Sequence, residues 1–299
     1  MFVFVILHYL AEEMTSQCIE SLEDTFDLAK IRIVVVDNGS GNGSGERLKE
    51  QFESEVCHII LSHENQGFAR GNNNGYRYAK ETWDPEFILV MNNDVIIRDR
   101  EFLNKVSRIY DETGFFVCGP DILAVKTGQH QNPLNKPQLT EEQVNGLLAD
   151  MDYRRTHNTK YYTDAIKSKL IIRTRLRRFK RRILHQKEPV IFVDERKENT
   201  PLHGACFIFS SKFIEKEQEA FDSRTFLYFE EEILFVKCIQ KGYRVIYDPS
   251  IQIHHYEDVS TDASLGTKKS IKSMVEKRKF LDRHQYDSLQ VLKKVLNGE

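Results

Sequence analysis

The sequence predicts an α/β protein with a mostly parallel central sheet flanked by helices, and three observations carry that prediction. The runs FVFVIL (2–7), IRIVVV (31–36) and FILVMN (87–92) are nearly continuous in apolar residues, as strands buried on both faces are. Segments of helical spacing separate these runs. Each run ends in a polar cluster: His8-Tyr9, Asp37-Asn38-Gly39-Ser40 and Asn92-Asn93-Asp94. In such sheets ligands bind beyond the carboxyl ends of the strands, so the clusters mark a candidate cleft.

The elements follow in order. AEEMTSQCIESL (11–22) places Met14, Cys18, Ile19 and Leu22 at helical spacing. After the second strand, DNGSGNGSGE (37–46) is a glycine-rich turn, leading to a short helix around 44–53 and the strand VCHIIL (56–61). ARGNNNGYRYAKE (69–81) reads as a helix, weakened by its glycines and asparagines. Residues 125–200 are polar, carry prolines at 133, 137 and 189, and then turn strongly basic, as a helical insertion would. The α/β pattern resumes with the strand GACFIF (204–209), a helix near 230–241, and the strands YRVIYD (243–248) and IQIHHY (251–256). Lysine-rich 264–297 reads as one or two helices. The expected organisation is an α/β half over 1–124, the insertion over 125–200, a second half of the same domain over 201–262, and C-terminal helices over 263–299.

Bulk properties exclude several classes. The chain has 299 residues, 40% hydrophobic and 29% charged, enough for a substantial core. Lys+Arg 43 against Asp+Glu 45 gives a formal net charge of −2, so the whole chain is not a nucleic-acid-coating polycation. Five scattered cysteines without a C-x-x-C pair argue against a disulfide framework or zinc site and fit a reducing compartment. No apolar run approaches the roughly 18 residues of a membrane span. MFVFVILHY lacks a basic flank and a small-residue cleavage site, and is expected to be a buried first strand, not a signal peptide.

Each polar motif has a plain and a chemical reading. GSGNGSG (39–45) does not fit a phosphate-binding loop; Glu46 follows it where such a loop has lysine. Asp37 is either part of the turn or an acceptor for a nucleobase N–H or ribose hydroxyl. Asn92-Asn93-Asp94 is either a turn or a site for Mg²⁺ or Mn²⁺, hard ions commonly held by one or two carboxylates plus phosphate oxygens. In FLYFEEEILF (226–235), Glu230, Glu231 and Glu232 favour a helix N-terminus. In that apolar setting one of them could equally take a proton from an alcohol. His254-His255 are structural, or ligands if they converge with Asp94. KSKLIIRTRLRRFKRRILHQK (167–187) has ten Lys/Arg and no acid, with Ile172, Leu176, Phe179 and Ile183 on one helical stripe. It suits a solvated helix, an anionic membrane surface or RNA, the last without an accompanying RNA-binding motif.

Five blocks together resemble a family 2 glycosyltransferase of the GT-A fold, in particular its bacterial rhamnosyltransferase-like branch. They are VVVDNGSGNGS (34–44), ENQGFARGNNNGYRYA (64–79), FILVMNNDVII (87–97), HGACFIFS (203–210) and FLYFEEEILFVKCIQKGYRVIYDPSIQIHHYEDVST (226–261). The resemblance implies an inverting, metal-dependent transfer from a UDP- or dTDP-sugar to a glycan hydroxyl, in surface polysaccharide synthesis. Asp37 would contact the nucleobase or ribose; His8, Tyr9, Asn38, Asn65, Gly67, Phe68, Asn73, Asn92 and Asn93 would line the donor pocket. Asp94 would hold Mn²⁺ or Mg²⁺, with His254 or His255 as a further ligand, and Glu231 would be the base, with Glu230 and Glu232 as alternates. The sequence departs from the family pattern in Asn92 at the first D-x-D position, Ile233 at the place of a later acid, and HYL (8–10) at the start. A lipid-linked saccharide acceptor would place the chain in the cytoplasm, peripheral on the inner face of the membrane through residues 167–187. No nucleic-acid partner is expected; an oligomer through the C-terminal helices is possible. The rival readings are a sugar nucleotidyltransferase, which lacks its glycine-rich triphosphate loop here, a degenerate subunit and a membrane-surface binding module.

Overall fold

The computed structural model describes residues 1–134, 137–173, 192–257 and 270–299. The first strands and helices alternate: β1 (Phe2–His8), α1 (Glu12–Thr25), β2 (Ile31–Asp37), α2 (Ser44–Phe52), β3 (Cys57–Leu61), α3 (Gly67–Trp83), β4 (Phe87–Asn92) and β5 (Val95–Ile96). There follow α4 (Phe102–Thr113), β6 (Val117–Ala124), α5 (Glu141–Thr156), α6 (Asn158–Arg173), β7 (Lys197–Glu198) and β8 (Cys206–Ser210). The chain closes with α7 (Ser211–Lys216), α8 (Glu230–Gln240), β9 (Val245–His255) and α9 (Ile271–Leu296). The sequence pattern had assigned no element to residues 98–124, which supply α4 and β6. The two strands expected over 243–256 are one strand, β9, bent by an irregularity opposite Pro120 and Asp121.

The strands form one sheet in the order β3-β2-β1-β4-β8-β6-β9-β5, with β7 also pairing β9. The block β3-β2-β1-β4 is parallel; β8 runs antiparallel between β4 and β6, and β6 and β9 are again parallel. Successive strand residues face opposite sides. Phe2, Phe4 and Ile6 therefore pack with Ile19, Leu22 and Phe102 on one face, while Val3 and Val5 pack with Ala69, Tyr76 and Phe209 on the other. That two-sided burial is why the strands read as unbroken apolar runs.

The residues that weakened the helical reading of 69–81 are used in its packing. Gly71 and Gly75 let α3 lie close on the sheet; a Cβ on Gly71 would sit 2.6 Å from Leu7 Cδ1, and one on Gly75 2.5 Å from Val5 Cγ1. Asn72 and Asn74 bond Phe68 O and Gln66 Oε1 within the same helix. Tertiary contact thus offsets a poor local propensity.

Within the expected insertion, helix α5 packs on α8 and α9. Val144, Leu148 and Met151 of α5 share a core with Ile233 and Val236 of α8 and Leu289, Leu292 and Val295 of α9. Thr140 caps α5 with a reciprocal box: its hydroxyl accepts from Gln143 N–H while Gln143 Oε1 accepts from Thr140 N–H. The cationic stretch 167–187 enters the backbone of α6 as far as Arg173; its remainder, with Leu176, Phe179 and Ile183 of the apolar stripe, lies outside the described residues. No helix among the described residues is long and apolar enough to cross a membrane.

Candidate active site

Sheet register gathers the three polar clusters at one edge. His8 is opposite Asp37, Leu7 is opposite Asn92, and Asp37 is opposite Leu61. His8 is fully buried, its Nδ1 2.7 Å from Thr15 Oγ1 and its Nε2 2.7 Å from Ser44 Oγ. Burial lowers its pKa, opposed by the charges of Asp37 and Glu12. His8 thus ties the strand end to α1 and α2 as a neutral bracket. Tyr9 follows, half-buried, in a turn where Leu10 has φ +62° and its N–H donates to Ser40 Oγ.

Asp37 is 3% exposed and accepts from Ser40 N–H. Gly45, the first glycine of α2, packs against its carboxyl group, leaving no room for a side chain. Asn38 clamps the next loop: its Nδ2 donates to Asn65 Oδ1 and Gly67 O at 3.1 Å, and its Oδ1 accepts from Gln66 N–H at 2.9 Å. Gly67, at φ +81°, presses on Phe226 O, which also accepts from Phe68 N–H at 2.7 Å. The Phe68 ring meets Phe221 edge-on at 5.2 Å. Asn73 is fully buried and bonds the Phe221 backbone both ways, Nδ2 to Phe221 O at 2.8 Å and Phe221 N–H to Oδ1 at 3.0 Å. Asn38, Asn65 and Asn73 therefore shape the loops around the cleft with side chains already committed to protein partners.

Asn92 ends β4, with its N–H donating to Ala205 O at 3.0 Å, and Asn93 Nδ2 donates to Thr15 Oγ1 at 2.9 Å. Asp94 is 5% exposed, and its Oδ1 accepts no hydrogen bond among the described residues. That oxygen lies 3.3 Å from His255 Nε2. The approach follows from β5 pairing with β9, which sets Val95 opposite His255. Its neighbour His254 faces the other side of the strand, where burial and the charge of Arg98 lower its pKa. Of the two histidines expected beside Asp94, His255 is the one that meets it.

The three glutamates diverge around the first turn of α8. Tyr228 and Phe229 hold φ of +76° and +65°, a strained approach costing on the order of 1–3 kcal/mol per residue. Glu230 is 3% exposed with Oε1 unbonded; burial first, then the charge of Glu231, pushes its pKa up to about 8. The Glu231 carboxyl carbon lies 3.8 Å from where a Cβ on Gly204 would sit, so it faces the segment leading into β8. Glu232 lines a cavity of about 220 Å³ with Leu134, Leu139, Leu147, Pro201 and Phe235. Ile233, at the place of the family's later acid, is fully buried in the α5–α9 core.

His203 was not singled out by the sequence. Its Nδ1 accepts from Ala205 N–H at 3.1 Å, and its ring lies 5.8 Å from that of His255. Burial, then the His255 charge, lowers its pKa to about 4 against the opposing pull of Asp94. It joins the Glu231 side of the cleft to the Asp94 side. Gln131 and Asn132 were also missed, since nothing in their local pattern marks them; Gln131 Oε1 lies 2.8 Å from His255 Nδ1, and Asn132 Oδ1 accepts from His203 N–H. Among the described residues no three or more of His, Cys, Asp and Glu gather as a metal-holding cluster. An unbonded carboxylate oxygen beside a ring nitrogen nevertheless suits a divalent cation that takes its other ligands from a diphosphate and water.

The fold has known counterparts. The structure of S. aureus TarS 1-349 matches with a TM-score of 0.51 at 14% identity, covering 85% of this chain and 60% of that one. The same protein in complex with UDP-GlcNAc matches with a TM-score of 0.50, again at 14% identity, over 88% of this chain and 60% of that one. These likenesses show the shared GT-A-type fold. The "Low-salt glycan biosynthesis hexosyltransferase Agl10" of Haloferax volcanii is 28% identical over 156 residues, 52% of this chain and 47% of that protein. The chain thus spans about half the length of the curated relative it matches. The sequence profile described as "Glycosyl transferase family 2" matches residues 3–215, most of the chain and every strand of the sheet but β9, and the protein belongs to that family.

Proposed function

We propose that this protein is an inverting glycosyltransferase that moves a hexosyl or deoxyhexosyl group from a nucleoside-diphosphate sugar to a hydroxyl of a glycan acceptor. The observation that carries the reading is the unbonded Asp94 Oδ1 beside His255 Nε2 at the strand ends, with the Glu231 carboxylate at Gly204, the residue after His203. Asp94 and His255 would hold Mg²⁺ or Mn²⁺, which when bound neutralises charge on the departing diphosphate. Asp37 accepts from the nucleoside portion of the donor. Glu231 removes the proton from the acceptor hydroxyl as its oxygen bonds to the anomeric carbon and the bond to the diphosphate oxygen breaks. A single displacement inverts the configuration and needs one base. Glu230, holding its own proton near neutral pH, is unsuited to be that base.

The likeness of blocks 64–79 and 226–261 to the rhamnosyltransferase-like branch supports a UDP- or dTDP-linked donor and a lipid-linked saccharide acceptor in surface polysaccharide synthesis. The cationic stretch 167–187 then faces anionic lipid, which predicts sedimentation with anionic vesicles that weakens with salt. Salt-independent failure to sediment would remove the membrane part alone. The test of the main reading is donor hydrolysis and thermal shift with UDP-, dTDP- and GDP-sugars, with and without Mn²⁺. A metal-dependent response to one nucleotide, lost in Asp94→Ala, is expected. Folded protein that responds to no nucleotide would favour a degenerate subunit, the reading that Asn92 and Ile233 support.

A further inference from the structure

Gln131 lies in the turn after β6, where its N–H donates to Ile122 O at 2.9 Å. Its side-chain Nε2 donates to Glu257 Oε1 at 2.7 Å. An ionised carboxylate oxygen only accepts, so this contact fixes which end of the amide is which. The amide oxygen must therefore face His255 Nδ1, 2.8 Å away, and Nδ1 must carry the proton. In the neutral ring Nε2 is then a bare lone pair. It lies 3.3 Å from Asp94 Oδ1 without the alignment of a hydrogen bond, in a site where both side chains are at most 10% exposed. Two acceptors at that separation repel unless positive charge lies with them.

We propose that Gln131 is a positioning residue: anchored by Glu257, it holds His255 in the tautomer whose Nε2 ligates a divalent cation together with Asp94. The inference rests on the metal reading under Proposed function. The adjacent residue supports the same geometry from the other side, since Asn132 Nδ2 donates to Pro120 O at 2.6 Å while its Oδ1 accepts from His203 N–H at 3.0 Å. One two-residue segment thus braces His255 and His203. Residues behind a metal ligand fix its ring orientation and basicity, and their loss typically weakens metal binding about 10- to 100-fold.

The test is a Mn²⁺ titration of the full chain, with and without UDP, read by the electron paramagnetic resonance of the free aqua ion. Wild type, Gln131→Met, the double variant Gln131→Glu/Glu257→Gln and Asp94→Ala are compared, with thermal midpoints recorded for each. Methionine keeps the volume and removes the acceptor; the double variant keeps an acceptor oxygen for Nδ1–H and reverses the donor and acceptor of the 131–257 contact. Gln131→Met should raise the Mn²⁺ Kd about 10- to 100-fold, with the double variant near wild type and Asp94→Ala not binding. Wild-type affinity in Gln131→Met would overturn the role of Gln131 and leave the metal reading intact. A wild type that takes up no Mn²⁺ in either condition would instead overturn the metal reading, and this inference with it; the Asp94–His255 contact would then be a proton-bridged ion pair.

Discussion

Replacing Glu230 with glutamine removes a pH-dependent cost to folding. The Glu230 carboxyl is 3% exposed, has an oxygen without a hydrogen bond, and sits beside Glu231; burial and that neighbour raise its pKa from 4.5 to about 8. A carboxyl whose folded pKa is raised binds its proton more tightly in the folded state. Its contribution to stability is therefore full below the unfolded pKa and is lost as pH rises toward the folded one. Each pH unit in that window is worth about 1.36 kcal/mol. Wild type thus loses about 3 kcal/mol between pH 4.5 and pH 7, and about 4 kcal/mol by pH 8 and above. Glutamine has nearly the same shape and no titration, so the stability difference between Glu230→Gln and wild type should grow in the mutant's favour over this range. Urea denaturation of both proteins at pH 4.5, 7 and 8.5 measures it. A difference that does not change with pH would refute the assignment of a buried, protonated Glu230.

Glu231→Gln should lower turnover about 100- to 10,000-fold, the range for losing a general base, while nucleotide binding measured by calorimetry stays unchanged. Asn73→Ala removes both bonds to the Phe221 backbone and leaves those groups buried, which should cost about 2–4 kcal/mol in urea denaturation. Gly67→Ala puts a Cβ against Phe226 O at φ +81°; left-handed strain alone costs about 1–2 kcal/mol, and the clash adds to it. The midpoint of its unfolding transition should fall accordingly, and an unchanged midpoint would mean that the 64–68 loop does not press on residue 226.

The first half of the fold was legible because burial on both faces leaves a strong mark: β4 was read with its observed bounds, and β1, β2 and β3 within a residue. The elements that escaped, α4 and β6, carry no comparable signature. β6 in particular includes Gly119, Pro120 and Asp121, and Asp121 is held in place by His130 and Gln252 from distant sequence. The single strand β9 was read as two because Asp248, Pro249 and Ser250 form a local turn signal inside it; the structure uses them as an irregularity in pairing. In the site, the residue types of Asp94, His255 and Glu231 announced chemistry by themselves. The approach of His255 to Asp94, and the choice between His254 and His255, depended on which face of β9 meets β5, a register that sequence spacing does not reveal. Gln131 and His203 matter through their positions alone.

The pairing of β5 with β9 also sets the order in which the molecule can be completed. Asp94 and His255 are about 160 residues apart in the chain, and contacts of such separation form late and slowly. On the ribosome, β1 to β4 and the helices that cover them can pack while the first turn of α8 and the last strand have yet to be synthesised. A nascent chain can therefore bury Asp37 early, but cannot bring His255 to Asp94 until β9 has emerged and docked. Premature termination or a stall before that point leaves a product able to fold in part and unable to assemble the cleft.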